Sequence, residues 1–274
     1  MRILQISDTH LSRRHRHFAD NAAILADWVR AQKPNLIINS GDASMDGAMD
    51  HDDLRYTADW HASLGAPVLT APGNHDVGDI AAIRPDQLIN DARLTAWREI
   101  MGPDRWTHDF ADWRLIGLNG MLLGSDHPEE AAQETWLADA LRCDRQIAVF
   151  LHKPLFIDDP DEPPRGYWTV APKPRRRLRD LFATARLKLV ASGHLHGWRH
   201  EARDGVAYVW APSGAFVVGA MQEDLGSLRQ LGAVEHVFTP DGVASRFLRI
   251  AGQQDLLIDP VVREIYPTPA TTEA

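Results

Sequence analysis

Three apolar stretches near the start of the chain each end in residues able to bind a metal ion, and they recur at nearly the same interval. Arg2 to Ser7 runs into Asp8, Asn35 to Ser40 into Gly41-Asp42, and Pro67 to Ala71 into Gly73-Asn74-His75-Asp76. Asp8 and Asp42 are 34 residues apart, and Asp42 and Asn74 are 32 apart, close to the length of one strand–helix–strand unit. The intervening segments read as helices. Ile24, Leu25, Trp28 and Val29 fall at helical spacing, with Asp20 or Asn21 as the cap and Lys33-Pro34 as the stop, and a second helix is predicted from His51 to Leu64. Repeated units of this kind favour a parallel sheet, whose strands bring their C-terminal ends to one edge, where binding sites form. Three widely separated stretches therefore converge for a topological reason.

Two further strands carry ligand groups at their ends. Gln146 to Leu151 leads to His152, and Leu187 to Ser192 leads to Gly193-His194-Leu195-His196. Helices are predicted over 87–101, 129–141 and 175–185, and a hairpin joins 106–110 to 113–118. Residues 158–174 are rich in proline and charge and read as a loop over the site or at a subunit contact. The strands Val206–Trp210, Ala233–Thr239 and Ala244–Ile250 follow without helices between them, either as an antiparallel addition to the sheet or as a second sheet packed on it. The expected organisation is one α/β domain over 1–255, strand-rich from about 205, with an extended tail over 256–274.

Composition removes several alternatives. The net charge of −9 argues against a nucleic-acid polymer as partner. No apolar run approaches a membrane span, so no membrane partner is expected. Cys143 is the only cysteine, which leaves no disulfide framework and no thiolate cluster. After Met1-Arg2 the apolar run ends at Asp8 without a signal-peptide pattern. The expected location is cytoplasmic. A homo-oligomer stays open, because the proline-rich loop and the strand-rich C-terminal part both offer an interface.

The candidate ligands are Asp8, His10, Asp42, Asn74, His152, His194 and His196. Carboxylate, imidazole and amide oxygen suit manganese, iron, zinc or cobalt. One residue separates the ligands in Asp8-Thr9-His10 and in His194-Leu195-His196, so an extended segment would put each pair on one face. A bridging carboxylate is expected between two metals, and Asp42 lies between the other ligands in sequence. Taken singly, each motif is commonplace: Gly-Asp is a frequent turn, and a lone histidine is more often a core residue. Five such stretches, each at a predicted strand end, make a binuclear metal centre the better reading. With Asn74 as a ligand, the adjacent His75 points elsewhere, and it is placed to act as a general acid or a cationic phosphate contact. Asp76 either orients His75 or braces the loop, and bracing is the better reading.

The order Asp-x-His, Gly-Asp, Gly-Asn-His-Asp, His, Gly-His-x-His resembles the calcineurin-like metallophosphoesterase superfamily over roughly residues 1 to 200. In length and loop pattern it looks most like the class III cyclic-nucleotide phosphodiesterases and related bacterial glycerophosphodiesterases. The resemblance implies a four-layer αββα sandwich of two mixed β-sheets flanked by helices. It implies Asp8, His10 and His196 on one metal, Asn74, His152 and His194 on the other, and Asp42 bridging. It also implies His75 at the substrate phosphate or leaving group. Lys153-Pro154 departs from relatives that carry a second histidine after the equivalent of His152. The activity expected is hydrolysis of a small phosphodiester, of cyclic-nucleotide or glycerophosphodiester type, by attack of a metal-bridging hydroxide on phosphorus. The alternatives are a phosphomonoesterase or a non-catalytic binding protein on the same fold. Arg13, Arg14 and His51 are the candidate substrate contacts outside the ligand set. The basic run Lys173 to Arg179 reads as structural, paired with Asp158, Asp159, Asp161 and Glu162, or as interfacial.

Overall fold

The computed structural model describes residues 1–265. β1 (Arg2–Ile6), α1 (Ala19–Gln32), β2 (Leu36–Asn39), α2 (His51–Ala62) and β3 (Val68–Thr70) form two consecutive strand–helix–strand units. The one-turn helix α3 (Asn74–Val77) and α4 (Asp91–Ile100) follow. Next come β4 (Trp106–Phe110), β5 (Trp113–Gly117), α5 (Pro128–Ala140), β6 (Gln146–Phe150), α6 (Pro172–Phe182) and β7 (Arg186–Ser192). The last part holds β8 (Arg199–Arg203), β9 (Val206–Trp210), β10 (Ala233–Thr239), β11 (Gly242–Leu248) and the short α7 (Val262–Ile265).

β1, β2 and β3 pair in parallel, with Ile3 opposite Leu36 and Ile37 opposite Val68. β10 joins β1 antiparallel and β11 completes a five-stranded sheet, in the order β11-β10-β1-β2-β3. The second sheet has six strands in the order β4-β5-β6-β7-β9-β8, with a parallel centre and antiparallel edge strands. The two arrangements open for the C-terminal strands are thus divided. β9 runs parallel to β7 in the second sheet, while β10 and β11 extend the first antiparallel.

Side-chain alternation sets the layers, because successive strand residues face opposite sides. Ile3, Leu36 and Ile38 pack between the sheets with Leu115, Phe150 and Leu189. Leu4, Ile6 and Ile37 face outward against Leu25 and Val29 of α1. On the other side, Ile116, Val149 and Val190 lie under Leu137 of α5 and Leu178 and Phe182 of α6. The architecture is the four-layer αββα sandwich. Burying each of these large aliphatic side chains contributes about 1.5–3 kcal/mol.

Four local expectations change. Phe18, not Asp20 or Asn21, precedes α1; the Asn21 amide is committed instead to the carbonyls of Ala215 and Gln254. α4 starts at Asp91, because Leu88 pairs with Asp79 and Asn90 caps the helix by accepting from Arg93 N at 3.0 Å. α6 starts at Pro172, where the missing N–H would have had no helical partner anyway. The tail does not run extended from 256. Leu257 pairs with Val217, and Ile258 and Ile265 bury against Phe18 and Phe216; residues 266–274 lie outside the described residues.

Candidate metal centre

All seven expected ligands meet at the C-terminal edge of the parallel strands, and all are buried. Asp8 and Asp42 follow β1 and β2, Asn74 opens α3 just past β3, and His152 and His194 follow β6 and β7. The pairs one residue apart do not converge through extended backbone. They converge through left-handed backbone, with φ of 51° at Asp8, 40° at His10, 47° at Asp42, 71° at His194 and 51° at His196. That conformation costs a non-glycine residue about 1–2 kcal/mol, and such strain concentrates at functional sites. Two glycines make room. Gly41 is itself left-handed at φ 101°, and a Cβ there would stand 2.5 Å from His152 Nδ1. Gly73 has an ordinary φ of −105°, but its Cβ would collide with the Asp42 carboxylate.

The ligand atoms fall into overlapping groups. Asp8, His10 and His196 bring one atom each within 4.8 Å of one another, as do Asp42, His152 and His194, and His10, Asp42 and His75. Asp42 sits between the outer two: its Oδ2 is 3.1 Å from His152 Nε2 and 3.9 Å from His10 Nε2. His196 Nε2 lies 3.3 Å from Asp8 Oδ1 and 3.3 Å from His10 Nε2.

Backbone carbonyls decide which imidazole nitrogen faces inward. His152 Nδ1 donates to Ser40 O at 2.9 Å, His196 Nδ1 to Phe216 O at 3.0 Å, and His194 Nε2 to Tyr167 O at 2.8 Å. This is the support that metal-binding histidines receive. It leaves His152 Nε2 and His194 Nδ1 facing each other at 3.1 Å. Asn74 Oδ1 is buried with no hydrogen-bond partner among the described residues, a condition that costs about 1–3 kcal/mol. Imidazole nitrogens turned toward one another, an orphaned amide oxygen and a central carboxylate fit a pair of cations.

The electrostatics agree. Burial and the neighbouring His75 hold His10 well below the usual imidazole range, and burial and His152 do the same to His194. Both are neutral, as ligands must be. Burial pushes Asp42 up, but His152 and His75 outweigh it and hold the carboxyl well below its usual range. Burial pulls His152 down, yet Asp42 raises it to about 9. A cation taken up here therefore displaces the proton that this pair shares.

His75 and Asp76 lie in α3 with Asn74, and His75 points toward the ligand cluster rather than away from it. The His75 backbone N–H donates to Asp42 Oδ1 at 2.8 Å, and its Nδ1 donates to Met45 O at 2.9 Å. Its Nε2 stands 3.8 Å from Asp42 Oδ2. Asp76 accepts from Ser44 N and Oγ at 2.8 and 2.6 Å and from Gly73 N at 2.9 Å, bracing two ligand loops against each other.

The family profile of calcineurin-like phosphoesterases matches residues 1–198. The chain belongs to that family. Human CPPED1, a serine/threonine-protein phosphatase, is 28% identical over 143 residues, which is 47% of this chain and 41% of that protein. The chain thus spans less than half the length of the curated relatives it matches. Among solved structures, a Danio rerio dimetal phosphatase superposes with a TM-score of 0.60 at 11% identity, covering 90% of this chain and 95% of that one. GAP50, the anchor in the inner membrane complex of Plasmodium, gives 0.67 at 15% identity, covering 93% and 86%. Those two likenesses concern the fold.

A cavity of about 240 Å³ opens beside the phosphoesterase cluster, with His10, Asp42, His75, His194 and His196 on one side. Phe216, Val218, Met221 and Ile258 supply much of its apolar lining, Phe216 packing on His10 and His196, and Tyr167 and Trp168 line it as well. None of these wall residues carries a motif. Tyr167 and Trp168 come from the proline-rich loop, Phe216, Val218 and Met221 from the segment after β9, and Ile258 from the segment after β11. Arg84 also reaches the cavity and donates to Asp86 at 2.9 Å. Arg13, Arg14 and His51 are not among the residues lining it. Arg13 turns instead to Tyr56 and Asp59. The basic run is structural: Arg175 reaches Glu162, Arg177 reaches Glu130 and Glu134, and Arg179 reaches Asp161. Lys153, the departure after His152, is buried in an ion pair of 2.6 Å with Asp79. No helix among the described residues is long and apolar enough to cross a membrane.

Proposed function

We propose that the chain is a binuclear-metal-dependent phosphodiesterase for a small diester, of cyclic-nucleotide or glycerophosphodiester type. The character of the cavity carries this reading. Outside the histidines, the charged side chains lining it among the described residues are Asp42 and Arg84, and Arg84 is engaged by Asp86. A monoester dianion calls for more cationic donors than that. A diester carries one negative charge and a second organic group, which suits an apolar wall beside a ligand cluster.

Asp8, His10 and His196 would hold one transition-metal ion, and Asn74, His152 and His194 the other, with Asp42 shared. Manganese, iron, zinc and cobalt all suit this donor set. Bound there, such ions supply a nucleophile at neutral pH and neutralise phosphoryl charge. The chain's own residues do the rest. Carbonyls of Ser40, Phe216 and Tyr167 orient the imidazoles, and the His75 backbone N–H steadies one oxygen of Asp42. The Met45 carbonyl turns His75 so that Nε2 faces the ligand cluster, where it can give a hydrogen bond or a proton to the leaving oxygen. Tyr167 and Trp168 flank the site beside His194.

The phosphatase name of the CPPED1 relatives favours a second reading, a phosphomonoesterase. Hydrolysis of bis(p-nitrophenyl) phosphate and p-nitrophenyl phosphate by manganese-reloaded protein separates the two. Turnover that favours the diester and collapses in Asn74→Ala and His75→Ala is expected. Preference for the monoester would replace this reading with the second. Two bound ions with no turnover of either ester would point to a more demanding natural substrate, and no bound metal at all would sink the catalytic reading.

A further inference from the structure

One residue of the loop over the cavity touches two ligands of the same proposed ion. Tyr167 lies in the turn Gly166–Trp168. Its phenol oxygen accepts from Asn74 Nδ2 at 3.3 Å. That contact fixes which way the amide points and turns Oδ1, the orphaned oxygen, away from the phenol. Its backbone carbonyl accepts from His194 Nε2 at 2.8 Å, which leaves Nδ1 facing inward. The ring is held between two neighbours: its centroid is 4.5 Å from that of His194, and the Lys153 ammonium stands 5.2 Å from it. Lys153 is fixed in turn by buried Asp79, whose own backbone N–H donates to Gln87 O at 2.9 Å. The other ligand group is supported differently. His196 is oriented by Phe216 O, and the Asp8 carboxylate accepts from His194 N at 3.0 Å. Neither contact involves the loop.

We propose that Tyr167 is a positioning residue for the ion held by Asn74, His152 and His194, so that closing the roof over the cavity and retaining that ion are one event. The Lys153–Asp79 pair keeps the ring in place. The Asp8, His10 and His196 group is linked to Tyr167 only indirectly, through the His194 backbone N–H on Asp8 and the shared Asp42, and should depend on it less. The inference rests on the binuclear reading above.

Cobalt(II) tests it, because its d–d absorption reports ligand geometry and its loss to a chelator can be timed. In Tyr167→Ala, one of two cobalt ions should leave at least about 10-fold faster than in the wild type, with an altered d–d band, while the other is accelerated markedly less. Both variants keep the backbone carbonyl; Tyr167→Phe also keeps the ring and loses only the contact to Asn74. It should show a smaller acceleration of the same ion. Wild-type rates for both ions and an unchanged band in Tyr167→Ala would overturn the proposal, as would equal acceleration of both ions. If Tyr167→Ala does not fold, Tyr167→Phe decides: unchanged loss overturns the role of the phenol. A folded wild type that takes up no cobalt fails earlier, at the binuclear reading itself.

Discussion

Two of the buried polar clusters among the described residues are finished differently. Between the sheets, Gln5 Nε2 donates to Ser40 Oγ at 2.8 Å and to Ser192 O at 3.1 Å. Gln5 Oε1 accepts from His236 Nε2 at 2.9 Å, and Ser245 Oγ donates to His236 Nδ1 at 2.7 Å. Each polar atom of Gln5 and His236 has a protein partner, which is the usual condition of a buried polar group. At the strand ends a few residues away, imidazole nitrogens confront one another, and Asn74 Oδ1 and His10 Nδ1 have no partner among the described residues. The backbone there is left-handed at five ligand positions. A closed network holds a fold together. An open, strained one is arranged for something the chain itself does not supply.

The contrast breaks most visibly at Asp42. Asp42→Ala removes the carboxylate shared by both ligand groups, and activity should fall by more than about 100-fold, the upper end for residues that merely orient ligands. Metal content and turnover of the variant measure it, and its thermal midpoint checks that it is folded. Gly73→Ala attacks the same point from outside, because the added methyl meets the Asp42 carboxylate. Overpacking of this kind costs about 1–3 kcal/mol, and here it should lower metal content as well, so denaturant titration and metal analysis should move together.

The closed network should respond in stability alone. His236→Leu leaves Gln5 Oε1 without its donor, at about 1–3 kcal/mol, with two-metal loading and kcat unchanged. Its pH signature has a definite sign. Burial, with a smaller contribution from His200, lowers His236 to about 3 in the folded chain, while an unfolded histidine titrates near about 6.5. The unfolded chain therefore binds the extra proton first, and stability is lost as pH falls from that value toward 3. Denaturant titrations at pH 7 and pH 5 should show a smaller loss in His236→Leu than in the wild type, by roughly 1–2 kcal/mol.

The smallest effect is expected at Arg13. It stacks on Tyr56 and faces Asp59, and it does not line the cavity. Arg13→Ala should change stability by less than about 0.5 kcal/mol and leave KM for the diester nearly unchanged. A large rise in KM would return the first loop to the substrate site.

Which parts were legible in the sequence follows from the range of the interactions involved. Asp8, Asp42 and Asn74 could be placed together because strand and helix periodicity dictates a parallel sheet, and the sheet brings their positions to one edge. The ligand identities came from the same local pattern, although the mechanism of convergence did not. Extended backbone was expected at Asp8-Thr9-His10, and left-handed backbone is what turns those side chains inward. Tyr167, Phe216 and Met221 were not legible, because what brings them to the cavity is contact with residues remote in sequence. β8 was missed because Arg199-His200-Glu201-Ala202-Arg203 has no apolar alternation; it pairs as an edge strand through its backbone. The Lys173 to Arg179 run resolved only through its partners, two of which, Glu130 and Glu134, lie on α5.

The central claim is that the open cluster is built for two cations, and counting them tests it most directly. Metal-stripped wild type, reloaded with manganese and freed of excess, should retain about two ions per chain by elemental analysis, while His236→Leu retains the same number and Asp42→Ala far fewer. A folded wild type that retains no manganese, zinc, iron or cobalt at saturating concentration would contradict the account.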